Sequence, residues 1–311
     1  MAMAMAPADA TAKAADDATP TPAASSALHD PSPKGSLQQL QLQRPDRRSW
    51  LEKFTQDINL SYADLPVLAC CTCSGLCDSA AFTAGGVFVS MQTGNTIFLA
   101  LGAASLPVGQ SMLWMRSLAS IAAFWLGCFC FARAMRLLKP QRKTTLSLCF
   151  LVQSAFIFVA AALAETSVVP AFSHKLLGST GQGVAEDEEN NGIILLPLAL
   201  LAFQFGGQIV TSRVLGFNEV PTNVLTSVYC DLLSDPKLLA PLGANPKRNR
   251  RFAAVVLLIA GGISGGWLQR SRAGMSGALW IAGGIKLVIA LAWIAWRDKK
   301  SPESEKTKGQ V

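Results

Sequence analysis

Three ionisable side chains lie in or beside apolar sequence, namely Asp78, Asp231 and Lys286. A charge in the hydrocarbon layer of a membrane costs at least ~2.5 to 3.5 kcal/mol on insertion scales, so such a residue faces a cavity or a partner. Lys286 lies about ten residues from either end of its apolar stretch, further than a lysine easily reaches toward the headgroups. We therefore expect it to pair with Asp78 or Asp231, as a proton or substrate relay or as a structural bridge.

Two apolar segments are punctuated by glycine, threonine and asparagine. The first contains Thr93-Gly94-Asn95-Thr96 and the second runs Pro221-Thr222-Asn223-Val224-Leu225-Thr226. An interrupted helix exposes carbonyls and amides that can hold a polar ligand or ion, although small residues also serve helix packing. Either these segments line a substrate or ion path or they only pack helices, with Asp78 capping the next element. The candidate path residues here are Asp78, Thr93, Asn95, Thr222 and Thr226.

Gln204 and Gln208 are four residues apart, so they share one face of a helix. They line the same polar path or hydrogen-bond to a neighbouring helix. With Asp231 and Lys286 they complete the set of candidate site residues.

Four of the eight cysteines cluster between Cys70 and Cys77. Thiolates at such spacing can bind zinc or copper(I), but histidine is almost absent, and cysteine in an apolar helix usually acts as a small hydrophobe. The sequence also contains no HExxH, GxSxG or phosphate-loop motif. We therefore predict no metal, no cofactor and no enzymatic activity.

The composition defines the class of protein. Of 311 residues, 50% are hydrophobic and only 15% are charged, against about 25% in an average soluble domain. Six stretches are long and apolar enough to span a bilayer, at about 61–83, 112–135, 145–164, 193–212, 251–269 and 275–296. The sequence predicts an all-α, polytopic transmembrane bundle whose partners are the lipid bilayer and a small solute or ion. The net charge of +7 lies in loops and indicates no nucleic-acid partner, and the oligomeric state stays open.

The segments at about 87–106 and 220–235 are harder to place. Cytoplasmic loops carry an excess of Lys and Arg. If neither segment crosses, the basic clusters at about 44–53, 133–143, 237–250 and 297–300 share one side. We therefore predict six spans, two short broken or re-entrant segments and two cytoplasmic termini, in the plasma membrane or an endomembrane.

An internal repeat accompanies this topology. Gly75 and Gly207 are 132 residues apart, and Thr93 and Thr226 are 133 apart. With three crossings each, the halves at about 60–164 and 193–296 would have opposite orientations, a plan common in secondary transporters. Similar hydropathy alone could imitate the repeat.

The remaining segments are peripheral to the predicted transmembrane domain at 56–298. Residues 1–55 are rich in Ala, Pro, Ser and Thr and predict a disordered cytoplasmic tail with a basic juxtamembrane stretch. Residues 165–192 form an acidic loop, and 299–311 form a polar C-terminal tail.

Several motifs together resemble the YoaK-like family of uncharacterised membrane proteins (domain of unknown function 1275). They are Gly75-Leu76-Cys77-Asp78, the stretch GGVFVSMQTGNTIFL that begins at Gly85, and PTNVLTSVYCDLL from Pro221. In that family a Gly-x-x-Asp element precedes a phenylalanine and a Thr-Gly-Asn turn, and a Thr-x-x-x-Thr element follows later. The resemblance covers roughly 60–298 and implies a membrane protein without implying a substrate.

Two functions fit these observations. The first is a secondary transporter or channel for a small solute or ion, because polar residues lie at membrane depth in broken, repeated segments. The alternative is a non-transporting scaffold or assembly factor, whose polar residues only join helices and whose tail binds a soluble partner.

Overall fold

The computed structural model describes residues 55–172 and 192–299. The predicted disordered tail, most of the acidic loop and nearly all of the C-terminal tail lie outside the described residues. The boundaries predicted for these peripheral segments stay predictions.

The described residues form eight α-helices and no named strand. The helices are α1 (Asp64–Gly85), α2 (Gln92–Gly102), α3 (Leu113–Leu138), α4 (Lys143–Glu165), α5 (Leu195–Val214), α6 (Thr226–Leu233), α7 (Pro246–Arg270) and α8 (Gly274–Ile294). Six of them, all except α2 and α6, are long and apolar enough to cross a membrane. The predicted polytopic helical bundle is confirmed.

The start of α7 is the boundary that differs most from the sequence prediction. The apolar stretch predicts a start near 251, but the helix begins at Pro246, a residue type favoured in the first helical turn. The Asn245 side chain caps this end by accepting a hydrogen bond from the Arg248 N–H at 3.1 Å. The basic residues between Pro246 and Arg251 therefore belong to the helix.

The first of the two difficult segments enters and leaves the bundle at one end. Helix α1 ends at Gly86, whose φ of +70° suits glycine, and the chain then turns back along α1. Val89 and Ser90 hydrogen-bond to Asp78, seven residues before the end of α1 and about 10 Å along its axis at about 1.5 Å per residue. Helix α2 then returns outward, so that a Cβ atom on Gly102 would lie 2.2 Å from Trp114 at the start of α3.

The second difficult segment repeats this arrangement at the other end of the bundle. After α5 the chain turns back, so that Thr222 and Asn223 reach the side chain of Gln208 within α5. Helix α6 leads out again to Asp231, which pairs with Arg251 in the second turn of α7. Both segments are re-entrant, as the sequence predicts.

The most extensive helix pairs join one half of the chain to the other. Helix α1 packs on α7, α3 on α5, and α4 on α8. In the first pair, Cβ atoms on Gly75 and Gly261 would lie 2.2 Å from Leu258 O and 2.3 Å from Thr72 O. In the second, Cβ atoms on Gly206 and Gly127 would lie 2.5 Å from Phe124 O and 2.0 Å from Phe203 O. The two crossings are built alike, so the halves form a structural repeat.

The repeat aligns Gly75 with Gly206 rather than with Gly207. Gly206 is the residue whose missing side chain lets α5 contact the backbone of α3, and Thr72 and Phe203 occupy corresponding places in the two crossings. Gly207 instead faces the Phe131 ring, and a Cβ atom added to it would lie 2.7 Å from ring atoms. The 132-residue separation of Gly75 and Gly207 is therefore one residue longer than the separation of the corresponding residues Gly75 and Gly206.

Contacts along the paired helices give their directions. Thr72 meets Gly261 and Ser79 meets Gly265, so α1 and α7 run in the same direction. In contrast, α4 and α8 are antiparallel, because Ser154 hydrogen-bonds to Gly283 while Glu165 bonds to Ser276. The halves therefore have opposite orientations, as three crossings per half require.

Basic segments come together at one end of the bundle. Backbone hydrogen bonds join residues 56–59 to the loop at 141–143 and to the chain at 297–299. Lys143 pairs with Asp298, and Arg250 pairs with Asp64 at the start of α1. This grouping is the one that the positive-inside rule predicts. That this end faces the cytoplasm stays a prediction.

Exposure also follows the repeat. In the 18-residue apolar stretches of α1 and α5, 67% and 56% of the residues are buried, whereas the corresponding shares in α3 and α7 are only 28% and 17%. Outward-facing side chains on the latter pair include Trp125, Phe129, Phe252 and Trp267. In an integral membrane protein these two helices present the largest lipid-facing surfaces.

Candidate functional site

A cavity of about 440 Å³ lies where the two re-entrant segments approach α1 and α7. Its lining comprises Gly75, Asp78, Ser79, Phe82, Phe88, Met91, Asn223, Leu225, Thr226, Tyr229, Leu258 and Gly262. Gly75 is near the middle of α1, so the cavity reaches the mid-length of this helix. Two of the sequence-predicted site residues, Asp78 and Thr226, line it.

Asp78 is half-buried and holds the first re-entrant segment in place. Its Oδ1 atom accepts hydrogen bonds from the N–H groups of Val89 and Ser90, both at 2.8 Å. Its Oδ2 atom accepts the Ser90 hydroxyl at 2.5 Å. Hydrogen bonds to an ionised acceptor are stronger than neutral ones, so this carboxylate fixes the turn beside the cavity wall. The sequence singles out Asp78 but not Ser90.

Asn95 fixes the same segment from the other side. It is fully buried, and its amide accepts from Phe88 N at 3.0 Å and donates to Phe88 O at 2.6 Å. Ser120 on α3 also bonds to Phe88 O, at 2.8 Å. Asn95 therefore positions the segment rather than lining the cavity. Thr93 is exposed and is not among the lining residues of this cavity, so its place on the path stays a prediction.

Gln208 performs the corresponding task in the second half. Its amide nitrogen lies 3.0 Å from Thr222 Oγ1, 2.8 Å from Asn223 Oδ1 and 2.9 Å from Ser74 Oγ. Thr222 adopts a φ of +65°, and its carbonyl accepts the Ser74 hydroxyl at 3.0 Å. Gln208 and Thr222 are therefore buried anchors that tie the second re-entrant segment to α1.

Asn223 is one lining residue of this segment that sequence reasoning missed. Its Oδ1 atom accepts from Gln208 and Thr222, and its Nδ2 atom donates to Phe205 O at 3.3 Å. The signal that could have identified it is its position in the Pro-Thr-Asn sequence, where a short amide side chain can satisfy backbone groups that a broken helix leaves free.

Lys286 does not pair with a carboxylate, and the prediction that Asp78 or Asp231 is its partner is wrong. Its Nζ atom donates to Gln153 Oε1 at 2.6 Å, and both side chains are fully buried. The ammonium also lies 5.1 Å from the centroid of the Phe150 ring. No ion pair among the described residues includes Lys286.

Gln153 and Lys286 occupy matching places in the repeat. They are 133 residues apart, the same separation as Thr93 and Thr226. Because they lie on antiparallel helices and face each other, their contact marks the internal pseudo-twofold axis. This separation, read from the sequence repeat, identifies Gln153 as the residue that corresponds to Lys286. Because glutamine is neutral, looking only for oppositely charged partners does not identify it.

Gln204 is fully buried, and neither its amide nitrogen nor its amide oxygen has a hydrogen-bond partner within the described residues. It is not among the residues that line the cavity. Its predicted place on the path therefore receives no support from the cavity, although a polar amide buried in this way is unusual.

Asp231 lies outside the bundle interior. Its side chain is 54% exposed and lies 3.6 Å from Arg251. The neighbouring Asp235 also contacts Arg251, at 3.4 Å. Hydrogen bonds from the Asn245 amide and the Lys237 N–H hold the pKa of Asp235 below its usual value. Both carboxylates fix the exit of α6, and Asp231 pairs with Arg251 rather than with Lys286.

The four clustered cysteines are buried and pack between helices as small apolar side chains. Cys70 bonds to Pro66 O within its own helix, and Cys73 contacts Ala282 O on α8 at 3.7 Å. Within residues 55–172 and 192–299, no group of three or more His, Cys, Asp or Glu side chains is arranged to hold a metal ion.

These features define a multi-pass α-helical membrane protein with six spans, two re-entrant segments and a cavity between them. The chain belongs to the family described as "Protein of unknown function (DUF1275)", whose model matches residues 67–292. That range begins in α1, ends in α8 and includes both re-entrant segments. No curated protein and no solved structure matches the chain.

Proposed function

We propose that the protein is a secondary transporter or channel that moves a small solute or ion through the cavity between its re-entrant segments. The observation that carries the proposal is the position of this cavity. It reaches the mid-length of α1 and receives lining residues from both halves of an inverted repeat. Broken elements from two inverted repeats that meet near the midplane are a recurring site architecture in transporters.

The polar anchors support this proposal. Asp78 on α1 holds the first segment, and Gln208 on α5 holds the second. Each of these two helices packs against a helix from the other half of the chain, α1 on α7 and α5 on α3. A movement of one half against the other would therefore change the cavity through these anchors. The proposal assigns no catalytic step and requires no cofactor.

Gly262 offers a test that leaves the anchors intact. A Cβ atom added there meets no atom within 4 Å, because the residue faces the cavity. We expect Gly262→Phe to fill the cavity and abolish flux in proteoliposomes loaded with a panel of small polar and charged solutes. Wild-type protein should move at least one of them.

Gly266→Phe is the matched control. Gly266 lies one turn further along α7, also has open space around an added Cβ atom, and does not line the cavity. It should fold and transport as wild type. A folded wild-type protein that moves no solute in a broad panel would contradict the proposal and favour the scaffold role. Equal flux through both variants would move the path away from this cavity.

A further inference from the structure

We propose that the cavity recognises a small organic cation, with an ammonium group held by the Asp78 carboxylate and by aromatic ring faces. This inference rests on the proposed function in that it uses the same cavity. It adds the chemical class of the ligand, which the family assignment does not supply.

The charge of the lining is the first argument. Asp78 is the one formally charged residue among those that line the cavity. No ion pair among the described residues includes it. Its three hydrogen-bond donors are neutral groups, so they position the carboxylate without cancelling its charge. A carboxylate has about four acceptor positions, which leaves one on Oδ2 for a ligand.

Aromatic rings supply the second argument. Phe82 and Phe88 stack with ring centroids 5.0 Å apart and an interplanar angle of 19°, and Tyr229 lines the same cavity. The face of an aromatic ring attracts a cation, and the attraction strengthens when the pair is shielded from water. Rings beside a single carboxylate suit a cation that carries apolar groups.

The other ligand classes fit less well. An anion would meet the uncompensated charge of Asp78. A sugar or polyol needs several free hydrogen-bonding groups, but Ser79 already donates to Leu76 O and the amide of Asn223 is bonded at both ends. A bare metal ion needs several oxygen ligands, whereas most of this lining is apolar.

The depth of the site favours a free solute over a lipid headgroup. Asp78 is about 10 Å inside the end of α1, and Gly75 is deeper still. The volume of about 440 Å³ lies within the range of small-molecule pockets, roughly 300–1,000 Å³. An ammonium group of a lipid would have to leave the headgroup layer to reach this position.

Choline and 3,3-dimethylbutan-1-ol are suitable probes because they have nearly the same shape and only choline is charged. The full-length protein in phosphatidylglycerol nanodiscs would be titrated with each by calorimetry. We expect choline to bind at least about tenfold more tightly than the neutral alcohol, since a desolvated cation–ring contact alone exceeds about 1.4 kcal/mol. Equal affinities, or no choline binding, would overturn the proposal.

Asp78→Asn should abolish the preference for choline, whereas Asp231→Asn makes the same chemical change at an exposed carboxylate and should preserve it. If Asp78→Asn does not fold, Gly262→Phe provides a second test. It should block choline binding without touching the carboxylate. Choline binding that survives in folded Gly262→Phe would contradict this location.

Changing the lipid identifies the source of the ammonium group. Choline binding that is equal in phosphatidylglycerol and phosphatidylcholine nanodiscs supports a free solute, whereas loss in phosphatidylcholine assigns the site to a lipid headgroup and overturns the free-solute assignment. Choline that binds but does not cross the membrane would leave this inference standing and contradict transport. Flux of neutral solutes without choline binding would support transport and contradict this inference.

Discussion

Asp78 and Lys286 are both charged residues within long apolar helices, yet their surroundings differ in kind. Asp78 lines a cavity and is held by neutral donors, with space beside it for a ligand. Lys286 is fully buried against Gln153 and the Phe150 ring. A charge at membrane depth therefore indicates a ligand site only where the packing leaves room beside it.

The position of each residue in the repeat explains the difference. Gln153 and Lys286 lie at the internal axis, where a residue must face its own counterpart from the other half. Two lysines there would repel each other, whereas one lysine and one glutamine give a single hydrogen bond. Asp78 lies away from this axis, where the two re-entrant segments leave space.

The largest expected effect comes from removing the partner of Lys286. Gln153→Leu should lower the free energy of unfolding by about 3–5 kcal/mol, because it leaves a buried ammonium without its acceptor. Lys286→Met should cost less, and adding it to Gln153→Leu should restore much of the loss. Thermal and denaturant unfolding in detergent would measure all three variants.

Two outcomes would break this side of the comparison. A Gln153→Leu protein as stable as the double variant would contradict a structural role for the pair. Well-folded Lys286→Met protein that has lost solute flux would favour the relay instead.

The next effect separates packed from open glycines in one cavity wall. Gly75→Ala places a Cβ atom 2.2 Å from Leu258 O, so the crossing of α1 and α7 must shift, at a cost of about 1–3 kcal/mol. Gly262→Ala meets no atom within 4 Å and should be nearly neutral. Unfolding of the two variants in the same detergent is the measurement, and equal losses would show that space at the cavity is not what distinguishes them.

An effect of similar size separates the two roles of Asp78. Ser90→Ala removes one of its three hydrogen bonds and should lower stability by about 1.5–3 kcal/mol at most. The carboxylate and its charge remain, so the preference for choline over its neutral isostere should survive. Calorimetry and unfolding on the same preparation would compare them. Loss of the preference in a folded protein would mean that the anchor and the charge cannot be separated.

The smallest effect compares the repeat-related threonines. Thr93→Ala should change stability by no more than about 0.5 kcal/mol and leave binding unchanged, because the residue is exposed and outside the cavity. Thr226→Ala removes a hydroxyl from the cavity rim and should weaken choline binding a few-fold. Titration of both variants tests this. A larger effect at Thr93 than at Thr226 would support the predicted place of Thr93 on the path.

Much of the fold could be predicted from the sequence because the bilayer constrains it. The six spans follow from the length of apolar stretches, and the basic loops indicate that 87–106 and 220–235 do not cross. The rotation of each helix could not be predicted in the same way, since α4 and α8 are apolar on nearly every face. For that reason the sequence predicts a carboxylate partner for Lys286 and does not identify Gln153.

The candidate site was predictable only in part. Asp78 and the re-entrant segments stand out in sequence because polar residues are costly at membrane depth. Which members face the cavity depends on short turns, where one residue changes the direction of a side chain. Thr93, a sequence candidate, does not line the cavity, whereas Asn223, which is not a candidate, does. Asn95 anchors its segment and is not part of the lining.

The pairing of α1 with α7, α3 with α5 and α4 with α8 has a consequence for biogenesis. Every one of these pairs joins an early helix to one from the second half of the chain. During synthesis the first half therefore enters the membrane before the surfaces that cover Gly75, Gly127 and Gln153 exist. Its helices remain in lipid until α8, the last of these six helices to be made, brings Lys286 to its place. These three pairs are therefore complete only after α8 is made, and removing α8 should leave an intermediate for quality control to remove.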